Sequence, residues 1–345
     1  MLPVKGGLSV ESAKVSRRTV LKAGLFGGIS LLFGACQPTG APAPGPAQPT
    51  GPAKLVFSSG PTGGSWIPLA GAVSELVKQK SPEIEITVEP GATYINIEKL
   101  AAGKADLGWA NLDGFYDALE GRPPMRSKIT NVYYMIYMYP NVFQIAVPED
   151  SGIRSLRDLR GRSVALPPQG NSSLVAWETA LKAHGMTIQD FGTVSYGSIA
   201  DHVELIKNRQ ADAMGWITTV PASFMLDLGT SRKMRILSFD DEALKKVEEI
   251  NKGYRKYVIP AGTYREQGHP DQVVTFQTPT IMIVRAELPE DLVYRITKVV
   301  VENKDELARA VSAIRNTQKA EMGQDLGVPY HPGALKYYKE AGIVK

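Results

Sequence analysis

The sequence has few of the residues that metal centres and disulfide-stabilised folds require. Its 345 residues include a single cysteine, Cys36, which excludes a disulfide framework and cysteine-based zinc or iron–sulfur sites. The four histidines, His184, His202, His269 and His331, are too far apart in sequence to indicate a local metal site. We therefore expect no metal and no cofactor. His184 and His202 fall on predicted helices, where we expect surface or boundary positions.

The familiar catalytic motifs are also missing. Gly103-Lys104, the only Gly-Lys pair in the sequence, is followed by Ala105 and therefore does not form a phosphate-binding P-loop. No Gly-x-Ser-x-Gly elbow, His-Glu-x-x-His zinc motif or dinucleotide-binding fingerprint occurs. The sequence thus predicts a protein that is not an enzyme.

Excess positive charge is confined to the N-terminal region. The whole chain has a net charge of +4, and residues 1–35 hold five cations and one anion, so the remainder carries 34 charges of each sign. A remainder without net charge gives no electrostatic reason to bind nucleic acid or an anionic membrane. We expect no nucleic-acid partner.

The N-terminal region has the pattern of an export signal. Residues 16–22, Ser-Arg-Arg-Thr-Val-Leu-Lys, resemble a twin-arginine signal, although a chance basic pair before a buried helix has the same pattern. The next 13 residues are uncharged, a run that is too short to span a bilayer as a helix but is typical of a signal peptide. We expect residues 1–35 to be a twin-arginine lipoprotein signal peptide.

Cys36 stands directly after this apolar run. The preceding Phe33-Gly34-Ala35 resembles a lipobox, in which the cysteine becomes the lipidated N-terminus, whereas the ordinary alternative is a buried free thiol. Residues 37–52 hold six prolines, three glycines and no charge, so they favour an extended tether. Residues 36–53 are therefore predicted to be a lipid anchor and a proline-rich tether.

From residue 54 onward, strand and helix patterns alternate, and the order repeats. Each repeat has a strand, a glycine-containing turn and a helix with hydroxyl residues at its start, followed by a strand that carries Trp109 or Trp216. This favours two similar α/β lobes, although one large doubly wound sheet has the same pattern. The expected lobes are residues 54–140 with 279–345, and residues 141–278.

Three later segments complete the predicted architecture. The aromatic run 133–139 is expected to be an inter-lobe strand or ledge. A new strand is expected over 142–147, with Gln144 near the crossover. Residues 273–284 form an extended stretch that could pass between the lobes. Helices are predicted at 289–302 and 304–319.

The candidate ligand site consists of two helix starts and two strand ends. Free amides at a helix N-terminus attract anions, although serine and asparagine there also serve as ordinary caps. Ligands of open α/β sheets bind at the carboxyl ends of strands, where Trp109 and Trp216 are predicted, although Trp109 could equally be core and Asp113 a helix cap. The candidate residues are Gly63, Gly64, Ser65, Trp66, Trp109, Asn111, Asp113, Gln144, Gly170, Asn171, Ser172, Ser173, Gly215, Trp216 and Thr218.

Several segments, in the same order, resemble the TAXI branch of the substrate-binding receptors of TRAP transporters. They are residues 60–68, 105–113, 150–153, 158–161, 211–218, 259–264, 284–293 and 331–334, with Tyr337 and Tyr338. The resemblance implies an α/β, two-lobe type II periplasmic-binding-protein fold with a hinged ligand cleft between the lobes. It also implies delivery of the solute to a permease with large and small membrane subunits.

Together these patterns predict an exported receptor that is lipid-anchored at the cell envelope. It is expected to capture a small organic anion or amino acid with at least one carboxylate and to deliver it to a TRAP permease. A membrane-tethered ligand sensor or scaffold would use the same cleft and is the alternative. At 65–67, 111–113 and 169–173 the sequence departs from the family pattern, so the glutamate-like ligands typical of the family do not follow from the resemblance.

Overall fold

The computed structural model describes residues 53–344. The predicted signal peptide, Cys36 and nearly all of the tether lie outside the described residues. Within residues 53–344, no helix is both long and apolar enough to cross a membrane.

The described chain folds into a mixed α/β structure. The strands are β1 (Ala53–Ser58), β2 (Ile84–Glu89), β3 (Leu107–Asn111), β4 (Val132–Pro148), β5 (Ser163–Leu166), β6 (Thr193–Tyr196), β7 (Ala213–Thr218), β8 (Met234–Ile236), β9 (Arg255–Ile259) and β10 (Val273–Arg285). The helices are α1 (Trp66–Lys80), α2 (Thr93–Ala101), α3 (Leu112–Glu120), α4 (Ser172–Ala183), α5 (Ile199–Lys207), α6 (Ser223–Gly229), α7 (Asp241–Ile250), α8 (Glu290–Glu302), α9 (Lys304–Leu307) and α10 (Pro332–Glu340).

Two long strands join the lobes. The sheet order is β2-β1-β3-β10-β4-β7-β5-β6, with β8 paired to β4 and β9 paired to β10. The first lobe contains the parallel strands β1, β2 and β3, and the second contains the parallel strands β5, β6 and β7. Strands β4 and β10 are antiparallel to each other, and each extends from one lobe into the other. All ten strands therefore belong to one hydrogen-bonded sheet, eight of them in a continuous order and two paired at its side, although the protein has two lobes.

The buried apolar side chains separate into two groups in the same way. Two core clusters draw their buried members from before residue 140 and after residue 280, and they include Trp109 and Tyr338. The other two draw theirs from residues 142–276 and include Trp177 and Trp216. The first lobe is thus built from both ends of the chain. The exact lobe limits given above remain a prediction.

Some predicted elements differ from the observed ones. The aromatic run and the expected strand 142–147 form one 17-residue strand, β4, which continues through Pro140. The predicted helix 304–319 is wrong, because α9 ends at Leu307 and only a short 3-10 turn follows, at Ser312–Asn316. The chain turns back here because Val311 and Ile314 are buried and the Thr317 hydroxyl donates to Met138 O (2.8 Å).

Candidate functional site

A pocket lies between the lobes at the carboxyl ends of β3 and β7. It encloses about 370 Å³ of empty space, which includes open solvent at its mouth. None of its lining residues is charged. These residues are Pro61, Gly64, Ser65, Trp66, Thr93, Asn111, Asn141, Asn171, Ser172, Ser173, Ile199, Trp216, Ile217 and Thr218.

Four helices begin at this pocket. They are α1 and α2 from the first lobe and α4 and α5 from the second. Asn171 Oδ1 caps α4 by accepting from Ser173 N (2.8 Å), so the capping interpretation of Asn171 is correct. Ser65 precedes α1 without a side-chain cap, and no acidic residue occupies the first turn of that helix. Since first-turn N–H groups lack partners inside the helix, this end of α1 presents donors and positive potential to the pocket.

A chain of hydroxyl and amide groups crosses the base of the pocket. Thr93 Oγ1 and Ser172 Oγ are 3.0 Å apart and connect α2 of the first lobe to α4 of the second. Asn111 Nδ2 donates to Ser172 Oγ (2.7 Å), and Asn141 Nδ2 donates to Asn111 Oδ1 (3.1 Å). All four side chains are buried. The two lobes are therefore in direct contact through polar side chains at the site.

Trp216 is held from behind by a buried histidine. Its Nε1 donates to His202 Nδ1 (3.0 Å), and the two ring centroids are 5.5 Å apart. Burial lowers the pKa of His202 to about 4, so the imidazole is neutral near pH 7 and can accept this hydrogen bond. The expected surface or boundary position of His202 is wrong, because the side chain is fully buried behind the pocket wall.

Nine of the candidate residues line the pocket, and six do not. Trp109 belongs to the core of the first lobe, where Nε1 donates to Trp66 O (3.1 Å) and the ring packs on Phe57. The lining candidates are Gly64, Ser65, Trp66, Asn111, Asn171, Ser172, Ser173, Trp216 and Thr218, and the others are Gly63, Trp109, Asp113, Gln144, Gly170 and Gly215.

Three glycines among those six serve the surrounding structure. A Cβ on Gly215 would lie 2.7 Å from Trp177 Cζ2, so this glycine makes room for a core indole. Gly170 has φ +83° and its carbonyl accepts from Tyr94 N (3.2 Å), which connects the lobes. Gly63 has φ +85° and its carbonyl accepts from Ser223 Oγ (3.2 Å). Both positive φ values favour glycine.

Gln144 also has a structural position. Its Oε1 accepts from the Tyr264 hydroxyl (2.6 Å), and its Nε2 donates to Thr219 O (3.0 Å). It lies three residues beyond the point where β4 leaves the first lobe, since Asn141 pairs with Thr278 there. The crossover residue that reaches the pocket is therefore Asn141.

Asp113 lies in a buried acidic network outside the pocket. Its Oδ2 accepts from the Tyr254 hydroxyl (2.8 Å), and its backbone N–H donates to Thr278 Oγ1 (3.1 Å). Burial, together with the nearby Asp117 carboxylate, raises the pKa of Asp113 to about 7. Asp113 does not line the pocket, and its carboxylate ties α3 to the segment before β9.

Asp117 completes this network. It accepts from the Tyr94 hydroxyl (2.7 Å) and Asn251 Nδ2 (2.9 Å), and it pairs with Arg122 Nε (3.0 Å). Burial raises the pKa of Asp117 to about 6. The network therefore joins the two lobes through groups that change charge near neutral pH.

Sequence reasoning missed five lining residues: Pro61, Thr93, Asn141, Ile199 and Ile217. Thr93 and Ile199 each begin a helix after a turn, and a turn before a helix was also the pattern that identified the starts of α1 and α4. Ile217 lies between two residues that were identified. Asn141 is a polar residue within an apolar strand. It was missed because the sequence predicted two separate segments, 133–139 and 142–147, with Asn141 between them.

Two solved structures share this architecture. One is a chain from glutathione import via GshT and the cystine ABC importer TcyBC of Streptococcus mutans, with 13% identity, 79% of this chain and 100% of that chain covered, and a TM-score of 0.51. The other is a putative L-cystine ABC transporter chain from Listeria monocytogenes, with 10% identity, 77% and 99% coverage, and a TM-score of 0.50. At such identities they show the fold alone, and the predicted two-lobe periplasmic-binding-protein fold is confirmed.

The family comparison covers most of the chain. The sequence pattern of the NMT1-like family matches residues 57–342, which include every lining residue of the pocket. The chain belongs to the NMT1-like family.

Proposed function

We propose that the protein is an extracytoplasmic receptor that captures a small carboxylate-bearing solute and delivers it to a membrane permease. The observation that carries this proposal is the convergence of four helix N-termini on a pocket without charged side chains. A helix N-terminus without an acidic residue of its own stabilises a nearby anion by roughly 0.3–1 kcal/mol, and by up to about 2 kcal/mol when the site is partly buried. This applies to α1, α2 and α4, whereas α5 has Asp201 in its first turn. Three of the four helix starts therefore favour an anion without any arginine or lysine.

The side chains in the pocket walls indicate the chemical character of the part of the solute that is not the carboxylate. Trp66 and Trp216 are both buried and are joined by Ile199 and Ile217. Indole faces favour an apolar or planar group. We therefore expect a carboxylate near the starts of α1 and α4, with an apolar or planar remainder against the indoles.

The first experiment is native mass spectrometry of the purified protein, followed by a thermal-shift panel of amino acids, dicarboxylates, aromatic acids and neutral sugars. A ligand that binds only the folded state raises the melting temperature by mass action. We expect stabilisation by carboxylates and a change in tryptophan fluorescence from Trp66 and Trp216. Stabilisation by a neutral sugar alone would contradict the carboxylate proposal.

The partner we propose is a TRAP permease, because the ordered motifs of the chain resemble that class of receptor. The named importers with a similar fold are ABC systems, which makes an ABC permease the second candidate. Cross-linking the ligand-loaded receptor in native membranes tests both. Recovery of a permease with large and small membrane subunits supports the first, recovery of an ATPase-containing complex supports the second, and recovery of a signalling kinase supports the sensor alternative.

Anchoring is tested separately at Cys36. Because the sequence predicts a tether between this residue and the folded body, Cys36→Ala is expected to release the protein from membranes without changing ligand affinity. Membrane fractionation and the thermal-shift panel measure the two effects. A Cys36→Ser variant should behave in the same way, and a Cys36→Ala protein that still sediments with membranes would contradict lipid anchoring.

A further inference from the structure

One acceptor group at the pocket has no partner. Asn141 is 2% exposed, lines the pocket and has a buried Oδ1 without any hydrogen bond. A buried amide oxygen without a partner is uncommon, since most buried polar atoms are paired. The other unpaired atom among the lining residues is Trp66 Nε1, which lies beside the Tyr139 hydroxyl. Asn141 Oδ1 is therefore the acceptor that a solute would satisfy.

The polar chain at the base of the pocket fixes the orientation of this amide. Asn141 Nδ2 donates to Asn111 Oδ1, and Asn111 Nδ2 in turn donates to Ser172 Oγ. The donor side of Asn141 is thus directed into the protein, and its carbonyl oxygen is left over. The position is also fixed by the backbone, because Asn141 pairs with Thr278 where β4 and β10 pass between the lobes.

We infer that Asn141 is a specificity-determining residue that accepts a hydrogen bond from an N–H or O–H group of the solute. This inference rests on the proposed function and makes it more specific. If the helix N-termini hold a carboxylate, the solute carries a donor close to it, as amino acids and hydroxy acids do. A plain carboxylate leaves Asn141 Oδ1 unpaired, so we expect it to bind about ten- to a hundredfold more weakly.

The test compares matched ligands that differ only in the donor. The probes are L-phenylalanine, L-phenyllactate and 3-phenylpropionate, together with the smaller set L-alanine, L-lactate and propionate. Isothermal titration calorimetry of the wild-type protein is expected to give tighter binding of the amino or hydroxy acid than of the acid without a donor. Equal affinity within each set would overturn the inference and leave the proposed function standing.

Variants at Asn141 test whether this side chain causes the difference in affinity between ligands with and without a donor. Asn141→Ala is expected to weaken the donor-bearing ligand by about ten- to a hundredfold and to leave the donor-free acid almost unchanged. Asn141→Asp preserves the shape and is expected to favour the amino acid over the hydroxy acid, because a carboxylate attracts an ammonium group. Equal weakening of all ligands by Asn141→Ala overturns the inference.

The control is Ser59→Ala. Ser59 Oγ is also buried and unpaired, but Ser59 does not line the pocket, so its removal should leave every affinity ratio unchanged. Melting temperatures without ligand show whether each variant is folded. If no carboxylate binds the wild-type protein, both the proposed function and this inference fail.

Discussion

A protein carrying Ser65→Asp is expected to remain as stable as the wild type and to bind small anions about a hundredfold more weakly. Ser65 is half-buried at the start of α1 and lines the pocket. A carboxylate beside a helix N-terminus is favourable for the helix by roughly 0.3–1 kcal/mol. The same charge repels an anion about 4 Å away by roughly 4 kcal/mol at an effective dielectric constant near 20, and solvent at the mouth reduces this.

Ser65→Asn is the matched control, since it has the same shape as aspartate and no charge. It is expected to bind anions within a few-fold of the wild type. Calorimetry and melting temperatures measure both variants. Equal affinity of Ser65→Asp and Ser65→Asn for a carboxylate would show that no anion is held at this helix start.

The Asp113→Asn protein is expected to gain stability relative to the wild type as the pH rises. The ordinary pKa of aspartate is 3.8, and the folded protein raises the pKa of Asp113 to about 7. The stability that the protonated acid contributes is therefore complete below about pH 4 and is lost as the pH rises through 7. Between pH 5 and pH 8, the unfolding free energy of the variant should rise by roughly 2 kcal/mol relative to the wild type.

Urea unfolding at several pH values measures this difference. Tyr94, Asp117, Arg122 and Tyr254 face the same network and are present in both proteins, so the comparison isolates Asp113. Asp158→Asn is the control, because hydrogen bonds from the backbone N–H groups of Arg154 and Ser155 lower the pKa of Asp158, and that carboxylate stays ionised over the whole range. If the difference in unfolding free energy between Asp113→Asn and the wild type did not change with pH, Asp113 would already be ionised in the folded protein.

Local patterns predicted the helix starts of the site well. The turns before α1 and α4 are recognisable because small and hydroxyl residues precede helical spacing, and both turns line the pocket. The corresponding positions of Trp109 and Trp216 in the two repeats were a poorer guide to the site. Both residues are buried in interior strands, but Trp109 lies under α1 in the core of the first lobe, whereas Trp216 lines the pocket as well as belonging to a core cluster.

What the sequence could not predict depends on contacts between distant segments. Asp113 looks like a ligand contact or a helix cap, yet Gly253 packs so closely that a Cβ there would lie 2.4 Å from Asp113 Cα. The pocket role of Asn141 depends on its pairing with Thr278 in β10. Neither contact can be recognised from the periodicity of the local sequence, because each joins residues more than a hundred positions apart.

The position of β10 has a consequence for how the protein is made. A nascent chain that has emerged only as far as residue 272 lacks the strand that lies between β3 and β4 and pairs with β9. Until β10 emerges, neither lobe has its full set of strands, and the first lobe also lacks α8 and α10. Contacts over such long sequence separations make folding slow. The sheet is therefore completed only late in synthesis, and loss of the C-terminal fifth of the chain would deprive both lobes of a strand at once.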